Sequence, residues 1–332
     1  MTDLDQSGRR SRLRTVKLQA LVRDHLGRDI EPVVGAFPPG AAIVVDGAAW
    51  VLVEDEPGRG LGPALAWALR NGATSLHLLA ERETGVLARR AAALTFPIDV
   101  WHVDGRDLLP AVPVPLAPPP AATPAHLDLL DTIVAGGAEP NVEHGVVTGE
   151  VRGLEVCRVV DDPYTGAVRL EVGVGAHDRE AFTIVHGDVP TVDALAGVVH
   201  AVDEHRRPHA PQHPLNRLVP ERLLRWQLMR DPGLLGLTAV ERVEPPLPRP
   251  NVKDRVPCVA RGYRDDGDPV LLVCSVGVDL DLVPYAIDAR RSTPGVDGGE
   301  VWLVAPERDL VPVTAELAAL ADQAISLVPF SG

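Results

Sequence analysis

The chain reads as an α/β protein of tandem α-β-β-β-α-β lobes, with mixed sheets flanked by helices and its outer two lobes related by internal duplication. Three observations predict this. Residues 42–103 give hairpin, helix, strand, helix and strand through AAIVVDGAAWVLVEDE, GRGLGPALAWALRNG, TSLHLLAE, TGVLARRAAAL and FPIDVWHV. Residues 256–330 return the same order, from VPCVARGYRDDGDPVLLVCSV to AISLVPF, and the centre carries a shorter version, EVCRVVDDPYTGAVRLEVGVG. The outer copies also align by residue. Ala49–Glu54 falls on Pro269–Cys274, Ala66 on Ala286, Arg70 on Arg290, Leu76–Ala80 on Val301–Ala305, and Ala92–Leu94 on Ala318–Leu320. Buried parallel strands are rich in Val, Leu and Ile in any such fold, so element order weighs more than single matches.

Taken in order, residues 1–11 are polar and are expected to lack structure. Arg12–Gly27 spaces Leu13, Val16, Leu18, Leu21, Val22 and Leu26 at three to four residues, which predicts an amphipathic helix stopped by Gly27. Pro32–Phe37 is a short strand. A hairpin then turns at Asp46-Gly47, a preferred two-residue turn, into the strand AWVLV, apolar on both faces and therefore central. The first lobe (12–109) ends near Leu109. Residues 110–125, PAVPVPLAPPPAATPA, form an extended linker, because proline fixes φ and removes donors. The middle region (126–205) predicts a helix over 126–135. Strands follow over 144–148, 154–160 and 168–174, with a turn at 161–166, and then helices over 178–185 and 191–205. A second linker covers 206–216. The last lobe (217–332) opens with a Leu-, Trp- and Arg-rich helix at 221–229.

Composition narrows the function. At 332 residues and 45% hydrophobic, the chain has core material for roughly two or three domains. Lys+Arg 32 against Asp+Glu 46 gives −14, which disfavours a general nucleic-acid or anionic-membrane binder. Lys17 and Lys253 are the only lysines, so a catalytic lysine has two candidates. The abundance of Ala, Gly, Pro and Val is that of a GC-rich genome. Cys157, Cys258 and Cys274 are scattered, and Cys157 and Cys274 sit in apolar strands; they read as core residues of a protein in a reducing cytosol. No apolar run approaches about 18 residues, and the N-terminus lacks the apolar stretch of a secretory signal.

The repeated helix–three strands–helix–strand order resembles the restriction-endonuclease-like fold, the PD-(D/E)xK superfamily. The resemblance covers most of the chain and lies in element order rather than residues. It implies an Asp near the second strand and a Glu-x-Lys on the third, together holding Mg²⁺ and activating water. The matching positions are Asp46 with Glu54-Asp55-Glu56, then Asp161 or Asp162 with Glu171, then Asp265, Asp266 or Asp268 with Cys274. No copy has Lys two residues after the acid, and the last copy has cysteine in the acid's place, so the catalytic set departs from the pattern. The bland reading of these aspartates is turn chemistry, which recruits Asp without a metal.

Further candidates come from the residues themselves. Glu54, Glu56 and Asp46 are the metal candidates, and Glu171 with Asp162 the catalytic pair. Gly58, Arg59, Gly60 and Gly62, at a strand-to-helix junction, could expose backbone N–H groups to an anion; the bland reading, a tight turn with little space for a Cβ, is the more ordinary one. His200, His205, His209 and His213 have spacings that suggest zinc but no nearby Cys. His144, His177 and His186 flank the middle strands beside Asp178 and Glu171. Arg217, Arg222 and Arg225 on a basic helix could touch nucleic acid, or pair with the chain's own carboxylates. These readings converge on a cytosolic, non-catalytic binding or assembly protein with a degenerate nuclease-like fold, acting on a protein partner or as a homo-oligomer. The alternatives are a divalent-metal-dependent nuclease or phosphoesterase and a nucleotide-binding protein using the Gly58–Gly62 junction.

Overall fold

The computed structural model describes residues 3–186, 191–207, 210, 211, 213–249, 251–296 and 299–331. The chain opens with helix α1 (Asp3–Leu26), strands β1 (Val33–Gly35), β2 (Gly40–Val45) and β3 (Ala48–Val53), α2 (Leu61–Arg70), β4 (Ser75–Ala80), α3 (Thr84–Ala91), β5 (Ile98–Asp104) and β6 (Asp107–Pro110). Short helices α4 (Pro124–Leu127) and α5 (Leu130–Ala135) lead to β7 (Glu139–Glu143), β8 (Val146–Val151), β9 (Leu154–Asp161) and β10 (Val168–Val172), then α6 (Gly175–His186), α7 (Thr191–Arg206) and α8 (Pro220–Arg230). The remainder gives β11 (Ala239–Arg242), β12 (Cys258–Tyr263), β13 (Pro269–Cys274), α9 (Leu282–Ser292), β14 (Val301–Pro306), α10 (Pro312–Ala318) and β15 (Ile325–Phe330). The α/β class with mixed sheets flanked by helices is therefore observed.

Two compact units form. The first comprises Met1–Leu116, Val278–Arg291 and Leu310–Leu327, and so draws α10 and nearly all of α9 from the C-terminal part of the chain. The second comprises Ala117–Gly277, Ser292–Asp309 and Val328–Gly332.

In the first unit a six-stranded sheet runs β1-β2-β3-β4-β5-β6. Strands β1 to β3 are antiparallel, β3, β4 and β5 parallel, and β6 antiparallel to β5. The Asp46-Gly47 turn has φ of 50° and 80°, the positive pair that a two-residue hairpin requires. Strand β3 is buried along nearly its whole length, as its two-faced apolar sequence predicts. Leu18, Leu21 and Val22 of α1 pack on Ile43, Trp50 and Leu52. Leu13 and Val16, counted in the apolar face, are instead 62% exposed. Helix α1 also starts at Asp3 rather than Arg12; Arg10 reaches Asp55 at 3.3 Å, an attachment that composition cannot reveal.

The second unit holds a four-stranded antiparallel sheet, β10-β9-β8-β7. Strand β7 (EPNVE) was not predicted, because it is polar and contains Pro140; it forms an edge, where proline is tolerated. The helix expected over 126–135 is broken into α4 and α5. Leu195 and Val202 of α7 share a core with Val156 and Val159 of β9. A five-stranded sheet runs β11-β12-β13-β14-β15, with β11 to β13 antiparallel and β13–β14 parallel. Its first four strands repeat the order and directions of β1 to β4. All three cysteines are buried and unbridged, and among the described residues no helix is long and apolar enough to cross a membrane.

Candidate functional site

The acidic corner lies at the C-terminal end of β3. Helix α1 places Arg14 and Lys17 three residues apart, on one face beside it. Glu54 Oε2 accepts from Arg14 Nε at 2.7 Å and Oε1 from Lys17 Nζ at 3.1 Å. Lys17 also donates to Glu81 at 2.7 Å, and Arg14 makes two 2.8 Å bonds to Asp55. Burial alone would raise the Glu54 carboxyl, but Lys17 and Arg14 outweigh it and lower its pKa. Glu56 is exposed, with φ of 47°, and Asp46 sits in the hairpin turn paired with Arg28. Each Glu54 oxygen thus faces a cation of the chain. The expected ligands do not fit Mg²⁺ as arranged, and among the described residues no three His, Cys, Asp or Glu side chains group as a metal site.

At the Gly-rich junction the backbone donors do meet anions, supplied by the chain itself. Gly58 N–H donates to Glu83 at 2.8 Å and Gly62 N–H to Asp281 at 3.2 Å, while Arg59 reaches Asp279 at 2.8 Å. Gly60 N–H closes a turn onto Pro57 O at 2.9 Å, and its missing side chain makes room for Val53. A Cβ on Gly62 would stand 1.9 Å from the Leu280 carbonyl oxygen, so glycine here serves close backbone packing. Gly62→Ala is expected to destabilise the first unit by about 1–3 kcal/mol through overpacking; a thermal midpoint equal to that of the parent chain would contradict the contact.

Beneath the junction lies a buried charge cluster. Arg90 donates to Gly58 O at 2.6 Å, to Asp281 at 2.9 Å and to Asp288 at 2.7 Å, and Arg89 makes bonds of 3.0 and 2.9 Å to Asp288. Burial pushes the Asp281 carboxyl up to about 6, Arg90 opposing it.

In the second unit Asp162 and Glu171 are brought together, with Arg169 between them. The guanidinium donates to Asp162 at 2.7 Å and to Glu171 at 2.8 Å. Asp162 also accepts from the N–H groups of Thr165 and Tyr164 and from the Thr165 hydroxyl, and the Thr165 bond leads in lowering its pKa. The aspartate is a turn residue, and a guanidinium of the chain itself occupies the space between the two carboxylates.

The basic helix follows the second of its two readings, in which arginines pair with the chain's own carboxylates. Arg222 and Arg225 are 6% and 1% exposed, so of the three arginines only Arg217 is placed to meet an external anion. Arg222 forks to Glu143 and Glu150, and Arg225 donates to Glu143 at 3.3 Å. Burial would raise Glu143, yet Arg222 and Arg225 hold it down at about 2. Among the histidines, His205 and His213 stack at 3.8 Å with planes 6° apart, so their in-plane lone pairs run side by side rather than towards one point. His209 lies outside the described residues. His144 is held at Pro245 O, at 2.9 Å, and His177 is exposed beside Glu180.

No family model, curated protein or solved structure matches the chain. The site therefore rests on the geometry alone.

Two cavities are formed by residues distant in sequence. In the first unit an open cleft of about 860 Å³ is lined by Phe37, Pro38, Pro39, Pro63, Trp67 and Val313, with Arg70 and Glu316 also contributing. The sequence does carry a trace of it, in the Pro-Pro of 38–39 and the Trp67 of an otherwise Ala- and Leu-rich helix, but the walls come from segments far apart in the chain. In the second unit a small polar cavity of about 60 Å³ is lined by Arg158, Arg222, Arg249, Glu143 and Glu155 among others.

Proposed function

We propose that the chain is a non-catalytic binding protein whose first unit docks an extended, proline-containing apolar segment of a protein partner in the Trp67 cleft. The observation that carries this is the cleft itself: about 860 Å³, walled by proline, aromatic and valine side chains with one charge of each sign. That volume falls in the range of ligand sites, and aromatic, proline-lined grooves suit segments already held in a polyproline conformation. Of the candidate carboxylates, Glu54, Asp46, Asp162 and Glu171 are engaged by Arg14, Lys17, Arg28 and Arg169 instead.

An assembly origin accords with this reading. Ala92–Leu94 and Ala318–Leu320 align in the sequence, and the two segments lie side by side in the first unit. Leu94 bridges Ala321, Thr95 N–H donates to Leu320 O at 2.7 Å, and Asp322 N–H donates to Ala93 O at 2.9 Å. Equivalent segments meeting one another is the pattern of a two-fold contact, as if a homodimer of the repeated module had been joined into one chain.

The test is a fluorescence-anisotropy titration with a labelled synthetic peptide matching residues 110–121, used as a probe of the chemical class. Saturable binding is expected, weakened at least about tenfold by Val313→Asp, equivalent to about 1.4 kcal/mol. Sedimentation of the unliganded chain separates a foreign partner from a second copy. The metal-dependent phosphoesterase reading draws one observation, the lysine absent from the motif being supplied at Glu54 by Lys17. A saturable Mn²⁺ response lost in Glu54→Ala, with no peptide binding, would put that reading in place of ours.

A further inference from the structure

The small cavity of the second unit has more positive than negative charge on its walls. Three guanidinium side chains line it, Arg158, Arg222 and Arg249, against two carboxylates, Glu143 and Glu155. Both carboxylates are already shared with arginines beyond the lining. Glu155 accepts from Arg158 Nε and Nη2 and from Arg179 Nη1, each at 2.8 Å. Glu143 is shared between Arg222 and Arg225. Arg222 completes its fork on Glu150 at 2.6 Å.

Arg249 is left over. Its Nη1 is buried without a hydrogen-bond partner. Arg249 is half-buried and a guanidinium does not shed its proton at ordinary pH, so a buried Nη1 donor that meets no acceptor is costly. The nearby carboxyl that might balance it, Glu221, is 2% exposed, with both oxygens unbonded. Its burial raises its pKa, which favours the neutral form. Thr148 also lines the cavity, and its hydroxyl makes only a long 3.4 Å bond to Asn141 O, so it is free to turn towards a ligand.

We propose that this cavity is a binding site for one small oxyanion, a carboxylate or a phosphate-sized group, with Arg249 as its principal partner and Arg158, Arg222 and Thr148 around it. Size sets the limit. About 60 Å³ is well below the roughly 300–1,000 Å³ of sites that hold drug-sized ligands, so the cavity suits a single anionic group rather than a nucleotide. The site is independent of the Trp67 cleft and of the reading built on it.

The test is thermal unfolding and calorimetric titration of the full chain with inorganic phosphate and with acetate, at ionic strength matched with sodium chloride. One of the two is expected to raise the unfolding midpoint saturably, and which one does so identifies the group. Arg249→Gln is expected to weaken that binding at least tenfold, while raising the midpoint of the unliganded chain, since it removes a buried donor that meets no acceptor. Thr148→Val, nearly isosteric, is expected to weaken binding while leaving the fold intact, and serves if Arg249→Gln does not fold. No saturable response to either anion would overturn the proposal and leave the cavity to water. A response unchanged in both variants would place the anion elsewhere and overturn it equally.

Discussion

Asp288→Ala is expected to lower the stability of the first unit by about 3–5 kcal/mol, the cost of removing one partner from a buried ion pair. Asp288 is wholly buried and serves two guanidinium groups, Arg90 at 2.7 Å and Arg89 at 2.9 Å. Arg90 is itself 0% exposed, so its charge has no water to fall back on. Hydrogen-exchange mass spectrometry of the full chain is the suitable measurement, because it reads α3 and α9 separately from the sheets of the second unit. The loss should be confined to peptides of the first unit. Asp288→Leu combined with Arg90→Met should recover part of it, since an apolar set of similar volume is often as stable as a buried ion pair. Asp281, although it also faces Arg90, should behave differently. Its folded-state carboxyl is raised to about 6 from 3.8, so the folded chain holds a proton that the unfolded chain has already lost. Its contribution is full below about pH 4 and is lost as pH rises through about 6. Asp281→Asn keeps an acceptor for Gly62 N–H and abolishes that loss. Full protection of α3 and α9 in Asp288→Ala would show that the cluster contributes little.

What could be read from the sequence followed sequence distance. The Asp46-Gly47 turn, the two-faced strand β3 and the order of strands around it depend on neighbours a few residues apart, and their residue types announce them. The acidic corner was equally visible as Glu54-Asp55-Glu56. Its neutralising cations were not, because Arg14 and Lys17 stand 40 and 37 positions earlier than Glu54. Arg90 and Asp281 are 191 positions apart, so neither identifies the other. Strand β7 was missed because its identity depends on being an edge, which is a property of the whole sheet. Whether Arg222 and Arg225 face outward or pair with the chain's own carboxylates is not decided by nearby residues, because those carboxylates lie 72 and 82 positions upstream. The polar cavity was hidden for the same reason, since Arg249 looks like any arginine in a proline-rich loop until its partners are counted.

Arg222→Met should be as damaging in the second unit, again by about 3–5 kcal/mol, because it takes the shortest ion pair from two buried carboxylates and leaves Glu150 only Arg242 and Asn141, at 3.2 and 3.3 Å. Glu150 is 1% exposed, and Glu143 would keep only the 3.3 Å contact to Arg225 among its arginines. The same arrangement sets the response to acid. Burial opposes ionisation of Glu143, but Arg222 and Arg225 hold it at about 2, against 4.5 for an ordinary glutamate. A depressed carboxyl contributes stability that is full above about pH 4.5 and is lost as pH falls through about 2, here about 3 kcal/mol. The second unit should therefore weaken between pH 4.5 and 2, while Asp281 makes the first unit gain as pH falls from 6 to 4. Acid titration followed by hydrogen exchange should show the second unit opening first. Arg222→Met should shift that opening to higher pH, because Glu143 and Glu150 then take up protons to escape burial as unpaired charges. An acid transition unmoved by Arg222→Met would mean that Glu143 is held down by something other than this guanidinium.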